Sequence, residues 1–482
     1  MTATQPLLGG KAGSLQAAAG GGSGSGSAAA PAPAPAPAAA APGVGAYDNH
    51  RTLTLWPLVA LIFFEVSGGP YGVEDAVGAG GPRYALLGFL FFPFIWSVPE
   101  ALVCAELAGR FPENAGYVAW VSAAFGPFWG FVEGWCSWWS GAIDNGIYPG
   151  LLLAYIQQIF PDFLATKPLQ LAALAALNVL LTCLNWRGLV VVGGAAMVLV
   201  VISVSPFLAM TALAVPHLQL SRLAQARAQP AWGRLLNTLM WNLNYWDSAS
   251  TLAAEVREPA RTFPRAMAAA VPLVVLTYTV PIVVGCAFVH ETGSSSGSDD
   301  GGGWGEWEDG FFSAVAQRIG GRWLAIWLLC AAALAQVGQY LAEMSADSFQ
   351  LDGMATRQQL PAIFARRSRY GTPTAGVAAS FVVCIVMSLL ELQLIIEATN
   401  FLYCIAALLE FAAFVKLRTM PQPELGPRFI VPLGTMGSAL MLLPAASFIV
   451  VVLILASPST LLIGSAILAM APVGYVCGRA GE

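Results

Sequence analysis

Charged residues are scarce, at 10% of the 482 residues, against roughly 25% in an ordinary soluble domain. Too few are present to cover the several soluble domains that a chain of this length would otherwise suggest. Histidine is nearly absent: His50, His217 and His290 are the three in the chain, and all fall at or beyond the ends of apolar runs. The eight cysteines stand singly in apolar stretches with no CxxC pair. They read as packing residues, and neither a metal site nor a disulfide framework is expected. No cofactor motif and no nucleophile–base constellation stands in the apolar runs, so a membrane-embedded enzyme lacks its usual parts. A net charge of -5 gives no nucleic-acid footprint either.

What the chain has instead is apolar length. Hydrophobic residues make up 57%, 15 are Trp, and the mean hydropathy is +0.67. Runs of about 18 or more apolar residues recur, each long enough to cross the hydrocarbon of a bilayer as a helix. The expected fold class is therefore an all-α polytopic membrane protein in a lipid bilayer. Twelve spans are predicted, near 54–79, 83–108, 128–157, 168–185, 190–214, 233–256, 266–290, 322–352, 373–391, 394–417, 433–456 and 458–477. Residues 1–50 are nearly all Ala, Gly, Ser and Pro, and they read as a disordered tail without the pattern of a signal peptide. That leaves 51–482 as the membrane domain. A Gly/Ser/Asp-rich segment from about Glu291 to Gly321 is the one long connection, with Trp304 and Trp307 as residues that dock part of it on the helices.

The basic residues set an orientation. With the tail inside, fifteen of the 22 Lys and Arg fall on inner faces, including Arg257, Arg261, Arg265, Arg357, Arg366, Arg367 and Arg369, and seven fall outside. That bias predicts both termini in the cytoplasm, in agreement with an even number of spans.

Two spans interrupt themselves. The first contains Gly68-Gly-Pro-Tyr-Gly72 at its middle, where Pro70 lacks the N–H that would continue the helical ladder. The sixth reads Trp241-Asn-Leu-Asn-Tyr-Trp-Asp-Ser-Ala-Ser250, and its Asn, Asp and Ser side chains compete for backbone hydrogen bonds. Broken backbone is tolerated inside a membrane only where it lines a cavity or is buried in protein. Breaks in corresponding spans, first and sixth, point to a transporter binding site. The plainer alternative is a kink packed against a neighbouring helix.

These residues carry a family resemblance. The Gly68–Gly72 break, Phe111-Pro-Glu-Asn-Ala-Gly-Tyr-Val-Ala-Trp120, the Trp241–Ser250 stretch and Arg257-Glu-Pro-Ala-Arg-Thr-Phe-Pro-Arg-Ala266 resemble the amino acid–polyamine–organocation transporters. Within them, Gly69-Pro-Tyr-Gly-Val-Glu-Asp75 and Trp241-Asn-Leu-Asn-Tyr-Trp-Asp247 look like the plant L-type-amino-acid-transporter-like polyamine uptake proteins. The superfamily more often has Gly-Ser-Gly at the first break. The change to Gly-Gly-Pro weighs against recognition of an ordinary α-amino and carboxylate pair. The resemblance implies two inverted five-helix repeats plus two helices, alternating access, and proton-coupled import of putrescine, spermidine or spermine across the cell membrane.

The placement of charge argues for a cation independently. Glu65, Glu74, Asp75, Asp144, Asp247, Glu343, Glu397 and Glu410 fall at depth in the predicted spans, and no Lys or Arg lies near the middle of any of them. An intramembrane charge costs several kcal/mol unless it pairs, takes a proton or faces water. Surplus carboxylates therefore either bind a cationic substrate or carry protons. The candidate substrate residues are Gly68, Gly69, Tyr71, Glu74, Asp144, Asn145, Trp241, Asn244, Tyr245, Asp247 and Glu343. Asp247, Glu74 and Glu65 are the proton-coupling candidates. Trp241, Asn244, Tyr245 and Ser248 share a helical face if that stretch is helical. Asn145 is placed in the pocket by alignment with the superfamily's third helix, and Glu343 by its distance from Leu360-Pro361. Glu106 and Arg110, four apart, read as a structural ion pair. Two rival functions remain open: a proton-coupled or exchanging amino acid carrier, and a membrane sensor that no longer transports.

Overall fold

The computed structural model describes residues 51–164, 166–288, 304–390, 392–421 and 428–480. The tail over 1–50 and most of the Gly/Ser/Asp-rich connection lie outside the described residues, so the readings made of them go no further here.

The first span divides into α1 (Leu55–Val66) and α2 (Glu74–Gly80). There follow α3 (Pro82–Ile95), α4 (Ser97–Arg110), the short α5 (Tyr117–Phe125), α6 (Pro127–Asp144) and α7 (Tyr148–Ile159). Next come α8 (Lys167–Asn185), α9 (Leu189–Ala214), α10 (Trp232–Leu243), a 3-10 helix over Ser248–Glu255, and α11 (Pro259–Phe288). The chain ends with α12 (Phe311–Gly320), α13 (Arg322–Thr356), α14 (Thr374–Met387), α15 (Leu392–Thr419), α16 (Thr435–Leu455) and α17 (Pro458–Ala480). Among the described residues β-structure is limited to two isolated bridges.

Among the described residues eight helices are long and apolar enough to cross a membrane, and Leu55–Val66 and Thr374–Met387 are shorter apolar helices. This is an all-helical, multi-pass membrane protein. Burial separates the helices into centre and rim. In α13 and α15 the most apolar windows are mostly buried, whereas those of α8, α16 and α17 are mostly exposed. On α9, Val190, Val198, Val201 and Leu208 all stand exposed, an apolar face that suits hydrocarbon. α13 contacts α1, α6, α7, α9 and α14, so it is the post around which the other helices close.

Prolines produce two interruptions beyond those predicted. Pro99 lacks an N–H and its ring opposes the Ile95 carbonyl, so the second span bends at Trp96 between α3 and α4. Pro149 acts the same way on Asn145, aided by Gly146, and divides the third span between Asp144 and Tyr148. The third span is therefore not one helix over 128–157, and Asp144 is the last residue of α6.

The Glu106–Arg110 pair does not form. Glu106 instead takes Arg418 of α15 as its partner, and its Oε2 also accepts the Val431 N–H at 2.8 Å. Arg110 donates to the Leu417 carbonyl at 3.3 Å. A partner that joins two helices and brings a second donor prevails over a neighbour one turn away on the same helix.

Candidate functional site

The first-span break, Ser67 to Val73, needs glycine for two reasons. Gly68 has φ +62°, and a Cβ there would lie 2.0 Å from Gln339 Cδ. The groups freed by the break find partners. Ser203 Oγ donates to the Gly68 carbonyl at 3.2 Å, and Ser67 Oγ accepts the Gly69 N–H at 3.1 Å. Glu74, first residue of α2, turns back to accept the Gly72 N–H at 3.0 Å, and it takes the Phe312 N–H at 3.4 Å. The break is thus closed by side chains within protein, as the membrane interior demands.

The sixth-span break is made differently. α10 stops at Leu243, Asn244 is extended, and Tyr245 takes φ +64°. A left-handed non-glycine residue costs about 1–2 kcal/mol, so Tyr245 must be held there. Its N–H donates to Tyr403 Oη at 3.0 Å, and its hydroxyl meets Ser140 Oγ at 2.7 Å. Because the helix has ended, Trp241, Asn244, Tyr245 and Ser248 do not form the single helical face that their spacing suggested.

Two narrow cavities lie between the breaks and α13. The first has room for about one water molecule and is lined by Glu65, Tyr71, Asp144, Tyr148, Tyr155, Trp241 and Tyr245 among others. Both oxygens of Asp144 are engaged: Trp241 Nε1 donates to one at 2.8 Å and the Tyr148 hydroxyl to the other at 2.7 Å. The second is as narrow, and its walls include Glu65, Tyr245, Asp247, Glu343, Asp347 and Tyr403. Glu65 and Tyr245 belong to both cavities and so form the partition between them. Neither oxygen of Glu65 or of Glu343 has a hydrogen-bond partner, nor does Asp247 Oδ2 or Asp347 Oδ2. Among the described residues no Lys, Arg or His is fully buried.

The cavities are closed at both ends. Toward one, Arg367 grips Glu255 at 2.7 Å and Asp352 at 2.6 Å, while Arg357 forks onto Glu113 with two contacts of 3.0 Å. Asn114 adds a bond of 3.0 Å to Glu255. Toward the other end, Trp304 and Trp307 are buried, as expected for docking residues, and Tyr155 donates to Asp309 at 2.7 Å. Burial pushes the Asp309 carboxyl up to about 6, against the lowering effect of the Tyr155 bond.

Six of the sequence candidates thus line one or both cavities: Tyr71, Asp144, Trp241, Tyr245, Asp247 and Glu343, together with the coupling candidate Glu65. The others stand outside these two sets of walls. Gly68 and Gly69 shape the break, and Glu74 closes it. Asn145 is buried beside the third-span interruption with its amide unpaired. Asn244 turns to Asn400 Oδ1 at 3.5 Å. Sequence reasoning missed Glu100, Glu133, Asp347 as a cavity acid, Tyr403 and Asp309. Glu100 and Glu133 satisfy the same criterion of a carboxylate inside an apolar span as Asp247 does. Tyr403 gives no such signal.

A family model for amino acid permeases matches residues 53–476. The chain belongs to the amino acid permease family. A probable polyamine transporter of Arabidopsis thaliana is 50% identical over 422 residues, which is 87% of this chain and 85% of that protein. A polyamine transporter of Oryza sativa subsp. japonica is 48% identical over 408 residues, 84% of this chain and 74% of its own. A second Arabidopsis thaliana protein, named a polyamine transporter, is 47% identical over 406 residues, covering 84% and 80%. The two cavities and the two broken spans all fall inside the part of this permease that the family model matches.

Proposed function

We propose that this permease imports polyamines such as putrescine, spermidine and spermine by alternating access, in symport with protons. The observation that carries the reading is the pair of cavities with Glu65 between them, lined by carboxylates and by aromatic rings with no buried basic side chain near. A polyamine has several ammonium groups along one methylene chain. Carboxylates at intervals answer the ammonium groups, and the faces of Trp241, Tyr148 and Tyr155 answer both charge and methylene. The names of the similar plant proteins favour the same substrate class.

In this reading Asp144, Glu65, Asp247 and Glu343 receive ammonium groups, and Asp247 and Glu65 are also the proton acceptors. Tyr71, Trp241 and Tyr245 form the walls. Gly68, Gly69 and Glu74 hold the first break open, while Asn145 and Asn244 support the third and sixth spans. The chain crosses the cell membrane twelve times, as two inverted five-helix repeats plus two helices, with both termini cytoplasmic. The Arg367–Glu255–Asp352 closure then faces the cytoplasm, and the Trp304–Asp309 closure faces outward. Both closures are shut, as in an occluded step of alternating access.

The test is competition. Uptake of radiolabelled spermidine in a polyamine-transport-deficient cell is expected to fall with added putrescine or spermine and to persist with leucine or arginine. Stronger inhibition by leucine would replace this reading with an amino acid carrier. Uptake that ignores a protonophore would remove the symport part alone.

A further inference from the structure

Beside the second cavity lies a cluster to which the symport reading, on which this step rests, assigns only one residue. Glu100 enters it from α4, Asp247 from the sixth-span break and Tyr403 from α15. Tyr403 Oη is within hydrogen-bond distance of Glu100 Oε1 and 2.7 Å from Asp247 Oδ1. It also accepts the Tyr245 N–H at 3.0 Å. A phenol carries one hydrogen, so it donates to one carboxylate and not to both. The second contact needs another hydrogen, and a carboxyl group is what supplies it. Two ionised carboxylates against one phenol oxygen would leave unscreened repulsion in a medium of low dielectric.

The neighbours do not relieve that demand with positive charge. Cys104 is one turn further along α4, Glu410 faces Asp247 from α15, and Tyr117 and Glu133 approach from α5 and α6. A separate observation shows where a cation would meet the cluster. Glu65, 5% exposed, lines the same cavity as Asp247 and Tyr403 and has no partner on either oxygen. Asp247 therefore has one oxygen on the phenol and one, Oδ2, buried without a partner beside that cavity.

We infer that Glu100 and Asp247 share one bound proton through Tyr403, and that Glu100 holds it while a polyamine ammonium occupies Asp247. With the proton on Asp247, its O–H donates to the phenol oxygen and the phenol O–H donates to Glu100. Moving both hydrogens one step leaves Asp247 ionised, Tyr403 unchanged and Glu100 protonated, and no electrons are exchanged with any other group. An ammonium arriving at Oδ2 favours this shift because it stabilises the ionised form of Asp247. Cargo and proton are then aboard together without competing for one oxygen, which is the requirement of symport. Glu100 is a coupling residue that does not touch the amine.

The experiment uses the full-length protein in proteoliposomes and compares two measurements. Wild type is expected to accumulate labelled spermidine when the outside is made acidic, from about pH 7.5 to about pH 5.5, and to perform spermidine counterflow at equal pH. Glu100→Gln is expected to lose gradient-driven accumulation by about tenfold or more while counterflow stays within about twofold, since a gradient of about two pH units drives at most about a hundredfold accumulation per coupled proton and counterflow needs no net proton movement. Glu100→Met removes the carboxyl at similar length, leaves Tyr403 and its bond to the Tyr245 N–H in place, and serves if Glu100→Gln fails to reach the membrane; the same split is expected. Accumulation in both variants that follows the gradient as in wild type overturns the assignment. So does loss of counterflow in step with accumulation, which would make Glu100 a substrate ligand or a structural residue. A wild type that transports spermidine but ignores the gradient overturns the symport reading itself, and the assignment with it.

Discussion

The interior toward Trp304 and the interior toward Arg367 use acids in opposite ways. Near Trp304 the acids have donors: Asp144 has Trp241 and Tyr148, Asp309 has Tyr155, and Glu74 has the Gly72 and Phe312 N–H groups. Toward Arg367, Glu343 has no hydrogen-bond partner and Asp347 keeps one oxygen without one, while Glu100 and Asp247 meet on one phenol. A bonded carboxylate is held in place before a ligand comes, whereas an unbonded one is costly until a cation or proton arrives. The first half is thus built to position an ammonium group. The second is built to respond to one.

Glu65 belongs to both halves, and removing its charge is the largest test of the contrast. Glu65→Gln keeps the shape of the partition but takes away its anion. Spermidine uptake efficiency is expected to fall about 100-fold at unchanged surface expression, the scale on which a buried charge loses its partner in a complex. Uptake kinetics within threefold of wild type would mean that the cavities do not share one substrate.

Trp241→Phe is a narrower cut in the Trp304 half. It keeps a ring on the wall and removes the Nε1–H that donates to Asp144 at 2.8 Å. A hydrogen bond to a charged group contributes about 1.5–3 kcal/mol, so KM for putrescine and spermidine is expected to rise by about tenfold or more, with Vmax little changed. An unchanged KM would show that Asp144 does not need its indole to receive the amine.

The breaks at Gly68–Gly72 and Asn244–Asp247 were legible because proline, glycine and a run of Asn and Asp are out of place in an apolar span. The surplus of buried acids was legible by the same contrast with lipid. Three kinds of feature were not. Pro149 lies inside an apolar run, so the division of the third span after Asp144 was hidden. The left-handed Tyr245 carries no glycine or asparagine signature, and its conformation depends on Tyr403, far along the chain. The Glu106–Arg418 pair likewise depends on how α4 meets α15, which local spacing does not reveal. Composition shows that acids are buried; which of them meet is a property of helix packing.

The smallest effect belongs to the closure at the Trp304 end and separates it from the arginine closure at the other. The Asp309 carboxyl is pushed up to about 6 by burial, with the Asp75 charge adding to the rise, from about 3.9 in an unfolded chain. A raised acid binds its proton more tightly in the folded state, so its contribution to stability is complete below about pH 4 and is lost as pH rises through about 6. Thermal unfolding of the purified protein is therefore expected to move down by a few degrees across that window, and Asp309→Asn should flatten this part of the profile. Arg367 stays charged over the same range, but its loss leaves Glu255 and Asp352 as neighbouring carboxylates without their cation, so Arg367→Gln should lower the whole curve and steepen its fall there. A slope that survives Asp309→Asn would place the titrating group elsewhere and remove the distinction between the two closures.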